Sequence, residues 1–171
     1  MNINKSIIVV AGEPNSIFLE IFLKSFKKVK IKKPLILIAS HKLLKMQMSK
    51  LNFKMKIKIL DVENIFKSKV DNKQINLINV NYNSSKAFEP ISSKSNAYIN
   101  NCFKIALKII KKNNLKRLVT GPISKKYFLK KKHLGITEYI SKKLAVRKNA
   151  MLIYNKKLSV CPVTTHMPLK N

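Results

Sequence analysis

The chain has 171 residues, 46% of them hydrophobic, which is enough to bury one substantial core and fits a single domain. Its formal charge of +29 would suggest a nucleic acid or an anionic membrane as partner. However, Arg117 and Arg147 are the only arginines, and the many lysines are spread along the chain without interleaved aromatic residues. Nucleic-acid surfaces favour arginine for bidentate contacts and aromatic rings for base stacking. The composition therefore argues against nucleic acid and leaves polyanion binding as a minor alternative.

The start of the chain and its cysteines exclude further classes of protein. The first apolar stretch, residues 7–11, is too short for a signal peptide or a membrane span, so we expect a cytoplasmic protein without a membrane partner. Cys102 and Cys161 are isolated from each other and from any Cys/His cluster. Neither a disulfide framework nor a structural zinc site is indicated.

The first predicted unit is a strand over residues 7–11, followed by the turn Gly12-Glu13-Pro14 and a helix. Asn15 or Ser16 is expected to cap this helix, because either side chain can accept a hydrogen bond from the first free N–H groups. One face of the helix carries three phenylalanines spaced four residues apart, Phe18, Phe22 and Phe26. The unit then repeats as a strand over residues 35–39 and a second amphipathic helix.

The middle of the chain continues the alternation of strands and helices. Strands are predicted over residues 57–60 and 75–80, and a loop over residues 81–95 then runs across the edge of the sheet. A long helix over residues 96–112 has apolar residues on one face and lysines on the other, so it should pack on the sheet. A further strand is predicted over residues 117–120. This alternation indicates an α/β fold with a mostly parallel sheet covered by helices.

The last part of the sequence predicts two helices and a hairpin. The helices begin near Ser124 and Tyr139, and the hairpin strands cover residues 150–154 and 158–163. The chain then stops at Asn171, before any helix that would cover the last strand. A doubly wound sheet should not end there, so we expect a truncated gene product or a fragment.

Four motifs lie where ligands bind in open α/β sheets, at the carboxyl ends of strands or the N-termini of helices. They are Gly12-Glu13-Pro14, Thr120-Gly121-Pro122-Ile123-Ser124-Lys125, Gly135-Ile136-Thr137-Glu138 and Val163-Thr164-Thr165-His166-Met167-Pro168-Leu169. Taken singly, each has a simpler structural interpretation. A Gly-Pro pair after a strand is often only a turn, and Thr137 with Glu138 fits ordinary capping at a helix start.

His166 is the strongest candidate metal ligand in these motifs. It follows a predicted strand end and two threonines, so its imidazole is expected at the carboxyl edge, where a neighbouring group could hold its second nitrogen. A lone histidine in such a position either completes a hydrogen-bond network or binds a metal, and the residues alone leave both open. His41 and His133, each flanked by lysine, are expected to be solvated.

Taken together and in this order, the four motifs resemble the 4-hydroxythreonine-4-phosphate dehydrogenase family, the pyridoxal phosphate biosynthetic protein PdxA. That family has a Gly-Glu-Pro turn after its first strand, a Thr-Gly-Pro segment ending in lysine, a Gly-His-Thr-Glu motif and a Val-Thr-Thr-His motif. The resemblance covers essentially the whole chain. It implies that residues 1–171 are the N-terminal portion of such an α/β domain, with the C-terminal half absent.

The resemblance also implies a fold and a reaction. The fold is an α/β/α sandwich like that of isocitrate and isopropylmalate dehydrogenases, in a homodimer whose active sites lie at the subunit interface. The reaction is oxidation of phosphorylated hydroxythreonine by NAD and decarboxylation to an amino-ketone phosphate in vitamin B6 biosynthesis. A divalent cation such as Zn, Mg or Co would be held by three histidines. Such an ion could polarise the forming carbonyl and stabilise the enolate left by carbon dioxide.

Carried over by motif, the resemblance assigns two residues of this chain. His166 matches a metal ligand and Thr137 matches a substrate contact, whereas the catalytic residues and the NAD site have no assignment here. The chain departs from the family at Ile136, where a substrate-binding histidine is expected, and at residues 15–19, where the family has small residues. Two alternatives therefore accompany the dehydrogenase prediction, a paralogue that acts on another phosphorylated hydroxy acid and an inactive truncated remnant.

Overall fold

The computed structural model describes residues 5–130, 132–146 and 148–163 of the chain. The chain divides into two compact units, Met1–Phe128 and Leu129–Asn171. The first contains the parallel sheet and three of the helices, and the second contains a shorter helix and a hairpin. Within the described residues, no helix has both the length and the apolar character needed to cross a membrane.

The sheet of the first unit has five parallel strands, in the order β3-β4-β2-β1-β5. Runs of isoleucine, leucine and valine form these strands because branched side chains pack well on a pleated surface covered on both faces. All five lie within one residue of their predicted ends, which confirms the predicted strands. They are β1 (Ile7–Val10), β2 (Leu35–Ala39), β3 (Ile57–Ile59), β4 (Ile75–Asn79) and β5 (Leu118–Thr120).

Three α-helices accompany the sheet, and among them only the second has a side-chain N-cap. The helices are α1 (Phe18–Lys28), α2 (His41–Lys50) and α3 (Asn96–Asn113). The N-cap of α1 is Ile17, which provides no side-chain cap, so the prediction that Asn15 or Ser16 caps this helix is wrong. Ser16 lies one residue before the cap, and its Oγ accepts from the Phe18 N–H at 3.3 Å. At the start of α2, the Leu43 N–H donates to Ser40 Oγ, also at 3.3 Å.

The helices cover the two faces of the sheet separately. On one face, Leu23 of α1 and Leu44 of α2 pack with Leu37 and Leu77 of the sheet in one buried cluster. Side chains alternate along a strand, so neighbouring buried residues such as Ile36 point to the opposite face. There α3 contacts β1 and β2, with its own apolar side buried as predicted. The result is a three-layer α/β/α arrangement.

The strand order creates a switch point between β1 and β5. After β1 the chain moves through α1 to β2 on one side, and after β4 it returns through α3 to β5 on the other side of β1. Loops that leave neighbouring strands in opposite directions open a crevice at their carboxyl ends, where ligands of open α/β sheets bind. A ligand-binding site is therefore expected where β1 and β5 end.

The second unit contains α4 (Ile136–Leu144) and an antiparallel hairpin, β6 (Ile153–Tyr154) with β7 (Ser159–Val160). The predicted hairpin strands, residues 150–154 and 158–163, were too long. The pairing extends only two residues from the turn, in a separate two-stranded sheet. Its side chains are exposed, and a hairpin without a sheet to pack against sustains little pairing beyond its turn.

Ala145 gives a stability prediction, because it ends α4 in the left-handed conformation with φ 56°. Replacing Ala145 by glycine should raise the free energy of unfolding by about 0.5–1 kcal/mol, since strain of about 1–2 kcal/mol is relieved and part is lost to backbone entropy. Denaturant unfolding measures the change. Ala106→Gly, inside α3 and buried, is the opposite control and should destabilise by about 1 kcal/mol or more. Equal effects of both substitutions would contradict the assignment.

Candidate functional site at the carboxyl edge of the sheet

Two glycines bring the first two motifs into backbone contact at the switch point. Gly12 has φ 72°, and a Cβ added to it would collide with the carbonyl oxygen of Pro122. A Cβ on Gly121 would collide with the carbonyl oxygen of Ala11 and would lie 2.8 Å from Cγ of the Phe18 ring. Neither position has room for a side chain. The turn after β1 and the turn after β5 are therefore fitted closely together.

Backbone hydrogen bonds fix the same two turns. The Glu13 N–H donates to the Pro122 carbonyl at 2.8 Å, and the Gly121 N–H donates to the Val10 carbonyl at 2.8 Å. The second bond extends the pairing of β1 and β5 by one step beyond the strands. Because both turns are bonded through the main chain, their geometry depends little on side chains other than those of the glycines.

Glu13 is a buried acid in this site, with only 2% of its surface exposed. Its Oε2 lies 2.8 Å from Ser95 Oγ at the start of α3, and the Asn15 N–H approaches its Oε1 at 3.4 Å. Burial is the largest influence on the Glu13 carboxyl and raises its pKa, while the contacts with Ser95 and Asn15 act in the opposite direction and are smaller. The sequence places Glu13 in the first motif but predicts no role for it, because the hydrophobic pattern of a sequence does not show whether a single acid is buried.

Polar side chains anchor the loop of residues 81–95 to the carboxyl ends of the strands. Gln47 of α2 is fully buried, and its Nε2 donates to the Pro14 carbonyl at 3.1 Å and to the Ala87 carbonyl at 2.8 Å. Asn15 accepts a hydrogen bond from the Glu89 N–H at 3.2 Å. The loop therefore lies against the turn after β1, and residues 12–15 hold it there.

The carboxyl ends of β2 and β4 form a cavity beside this loop. One cavity of about 370 Å³ is lined by Ser40, Asn79 and Tyr82 among others, at the ends of β2 and β4. A larger open cavity of about 750 Å³ lies instead beside α2 and the edge strand β3. None of the motif residues lines the larger cavity, so its size does not make it the better candidate site.

The segment after β5 forms a single helical turn, as predicted near Ser124. Ser124 Oγ accepts from the Tyr127 N–H at 3.1 Å, and the Ser124 carbonyl accepts from the Phe128 N–H at 2.9 Å. Ser124 therefore acts as a cap in this structure. The neighbouring Lys125 is exposed, and its side chain is available to solvent.

Thr137 lies in the first turn of α4 and is half-buried. The helix begins three residues before the predicted start near Tyr139, and Gly135 at its N-cap offers no side chain to the first N–H groups. Glu138 lies in the same turn, where the helix dipole favours an acid. Its Oε2 is buried without a hydrogen-bond partner among the described residues. This turn therefore has no side-chain cap from Gly135 and has one unsatisfied acceptor beside Thr137.

The predicted metal ligand His166 lies outside the described residues, together with most of the fourth motif. Within residues 5–130, 132–146 and 148–163, no three His, Cys, Asp or Glu side chains come close enough to hold a metal ion. The described residues therefore do not fit a metal by themselves. His133, expected to be solvated, is half-buried and contacts the Tyr139 ring edge-on at 5.4 Å between centroids. Cys102 is buried and Cys161 exposed, both as free thiols.

The three-layer fold and the fitted turns at the switch point define an α/β protein of the doubly wound class, in which ligands generally bind at the carboxyl ends of the strands. A model of the family described as pyridoxal phosphate biosynthetic protein PdxA matches residues 30–171. The match covers most of the chain, and the chain belongs to this family. The predicted resemblance is thereby confirmed.

Two curated relatives bear the name 4-hydroxythreonine-4-phosphate dehydrogenase. The protein of Aquifex aeolicus (strain VF5) is 30% identical over 171 residues, which cover 98% of this chain and 52% of the relative. That of Sulfurihydrogenibium sp. (strain YO3AOP1) is 28% identical over 167 residues, covering 95% of this chain and 50% of the relative. The chain thus spans about half the length of the curated relatives it matches.

Solved structures confirm the predicted α/β fold. The 4-hydroxythreonine-4-phosphate dehydrogenase of Burkholderia phymatum superposes with a TM-score of 0.81 at 20% identity, over 96% of this chain and 51% of that chain. A putative enzyme of the same name from Salmonella typhimurium gives a TM-score of 0.82 at 21% identity, over 96% and 52%. At this level of identity the likeness establishes the fold alone.

Proposed function

We propose that residues 1–171 are the N-terminal portion of an NAD-dependent dehydrogenase that acts on 4-phosphohydroxy-L-threonine. The enzyme oxidises the hydroxyl group of its substrate and decarboxylates the product to an amino-ketone phosphate, a step of vitamin B6 biosynthesis. The observation that carries this proposal is the match of nearly the whole chain to relatives named for that activity. The order of the four motifs along the chain supports it.

Thr137 is the substrate contact in this proposal. Gly135 provides no side-chain cap at the start of α4, and the N-terminus of a helix favours an anion such as a phosphate or a carboxylate. The unsatisfied Glu138 Oε2 next to Thr137 could accept a hydrogen bond from a hydroxyl or ammonium group. These features support a polar, partly anionic ligand at this helix start.

His166 is the metal ligand in this proposal, and the ion is Zn, Mg or Co. The described residues supply no donor set of their own, so the other ligands would come from elsewhere in the complete protein. The proposed assembly is a homodimer in the cytoplasm, in which two copies share each active site.

The test is a turnover assay of the protein produced with the coding sequence that follows Asn171. We expect NAD reduction with 4-phosphohydroxy-L-threonine in the presence of a divalent cation. His166→Ala should abolish cation binding measured by calorimetry and should lower kcat/KM by more than the roughly 10- to 100-fold that loss of an outer-shell partner costs. His41→Ala at the start of α2 is the matched control and should leave both values unchanged.

The outcomes of this assay separate the alternatives. Unchanged cation affinity in His166→Ala would reject His166 as a ligand. Cation binding without turnover of 4-phosphohydroxy-L-threonine would favour the paralogue that acts on another phosphorylated hydroxy acid, which the half-buried Ile136 at the start of α4 suggests. Absence of both binding and turnover would favour an inactive remnant.

A further inference from the structure

Glu13 is a buried acid that has no ion pair among the described residues, in a chain whose formal charge is +29. The ion pairs among the described residues join Lys24 to Glu20 and Lys108 to Glu63, both near the surface. A buried carboxylate is expensive unless it is paired with a charge or fully hydrogen-bonded. Within the described residues, the Glu13 carboxyl therefore has hydrogen bonds as its polar contacts.

The hydrogen bonds around Ser95 indicate the protonation state of Glu13. Ser95 Oγ is 2.8 Å from Glu13 Oε2 and 2.9 Å from the Ser92 carbonyl oxygen. A serine hydroxyl has one proton, and a carbonyl oxygen can only accept. If Glu13 is a carboxylate, both neighbours of Ser95 Oγ are acceptors, and one of the two short contacts has no proton.

A proton on Glu13 satisfies every contact at once. Oε2 then donates to Ser95 Oγ, and Ser95 donates to the Ser92 carbonyl. Oε1 stays an acceptor for the Asn15 N–H at 3.4 Å. We propose that Glu13 is a neutral carboxylic acid that positions the start of α3 by donating a hydrogen bond to Ser95. This role concerns the architecture of the carboxyl edge and does not depend on the proposed enzyme activity.

Other titratable groups lie on the segments around Glu13. From the loop over residues 81–95, Tyr82 has a pKa raised by burial and Glu89 has a pKa lowered by hydrogen bonds from residues 84–86. From α3, burial raises the pKa of Tyr98 well above the usual value. Lys94 and Lys125, on the two neighbouring segments, are exposed. The pKa of Glu13 is thus shifted upward from 4.5, in the opposite direction to that of the nearby carboxyl of Glu89.

The direct test is the carboxyl titration of Glu13 in the whole chain, followed by NMR of carbon-13-labelled glutamate and assigned by the signal lost in Glu13→Gln. The expected midpoint lies above 4.5, and a midpoint at or below 4.5 would overturn the proposal. Ser95→Ala then decides the direction of the hydrogen bond. If the neutral acid donates to Ser95, removing the hydroxyl destabilises the neutral form and lowers the midpoint. A higher midpoint would mean that a carboxylate accepts from Ser95, and the proposal fails.

Ser93→Ala is the matched control, because Ser93 is exposed on the same turn as Ser95. It should leave the midpoint of Glu13 unchanged, and a shift as large as that of Ser95→Ala would overturn the assignment to this hydrogen bond. A second measurement does not need the Ser95 variant to fold. Relative to Glu13→Gln, whose amide can still donate, the wild type should lose up to about tenfold in the folding equilibrium constant per pH unit as pH rises above 4.5.

The sign of that pH effect follows from the direction of the pKa shift. A carboxyl whose pKa is raised by folding stabilises the folded state below its unfolded pKa and loses this contribution as pH rises through the folded pKa. His41 has a lowered pKa from burial and the nearby Lys45, so it acts in the opposite direction in a similar range. Comparison with Glu13→Gln cancels the His41 contribution. A pH-independent difference between the two proteins would overturn the proposal.

Discussion

Replacing Gly12 by alanine should lower the free energy of unfolding by about 2–5 kcal/mol, with a fall in Tm of roughly 5–15 °C. Two costs add at this position. The left-handed φ of 72° is unfavourable for any residue with a Cβ, and the new methyl group would collide with the Pro122 carbonyl oxygen. The obstacle is main chain, which cannot rotate away as a flexible side chain could. Thermal and denaturant unfolding of the purified chain measure the effect.

Gly135→Ala provides the control for this prediction. Gly135 has φ −158°, an extended conformation that any residue adopts, so the substitution should change the free energy of unfolding by less than about 1 kcal/mol. If Gly12→Ala were as mild as Gly135→Ala, the close fit of the turns after β1 and β5 would not be a determinant of stability. A large loss in both variants would indicate a general cost of removing glycine and would also contradict the explanation.

The strands were predictable because burial on both faces leaves a simple trace in the sequence. Leu35–Ala39 is an uninterrupted apolar run between Pro34 and Ser40, and the structure gives it those same bounds. A strand buried on one face would show alternation, so a continuous run of this length already indicates a parallel, central strand. The hairpin of β6 and β7 was predicted less well, because its exposed apolar residues resemble core residues when only the sequence is read.

The anchors of the carboxyl edge could not be predicted, because they join residues far apart in sequence. Gln47 reaches Ala87, and Asn15 reaches Glu89, through side chains that look like ordinary polar surface residues. The helical pattern of α2 identifies its apolar face but gives no sign that Gln47 is fully buried. Long-range polar contacts of this kind depend on the complete fold and produce no periodic pattern in the local sequence.

The prediction of function rested on the four motifs, which are recognised by the identity of their residues. The sequence identified the two turns at the switch point, and the structure brings Gly12 and Gly121 together there. The sequence did not identify Glu13, next to Gly12, as a buried acid. The roles of Thr137 and His166 remain predictions, because each needs a ligand or further residues to act.

Replacing Ile136 by histidine should produce a large gain in the activity of the complete protein. The family motif has histidine where this chain has Ile136, and an aliphatic side chain cannot hydrogen-bond to a polar substrate. A hydrogen bond to a charged group contributes about 1.5–3 kcal/mol. Ile136→His should therefore raise kcat/KM for 4-phosphohydroxy-L-threonine by about 10- to 100-fold. The measurement is NAD reduction with this substrate varied at a fixed NAD concentration.

Ile140→His is the matched control for this substitution. Ile140 is half-buried on the same helix, about one turn after Ile136, so a histidine there adds the same chemical group outside the motif. It should leave kcat/KM unchanged. A gain confined to Ile136→His would support a divergent dehydrogenase that retains the family's substrate, since only a site already shaped for that substrate can use the new donor. If Ile136→His instead lowers turnover while another phosphorylated hydroxy acid is oxidised by the wild type, Ile136 is a specificity residue of a paralogue, and the substrate assignment is wrong.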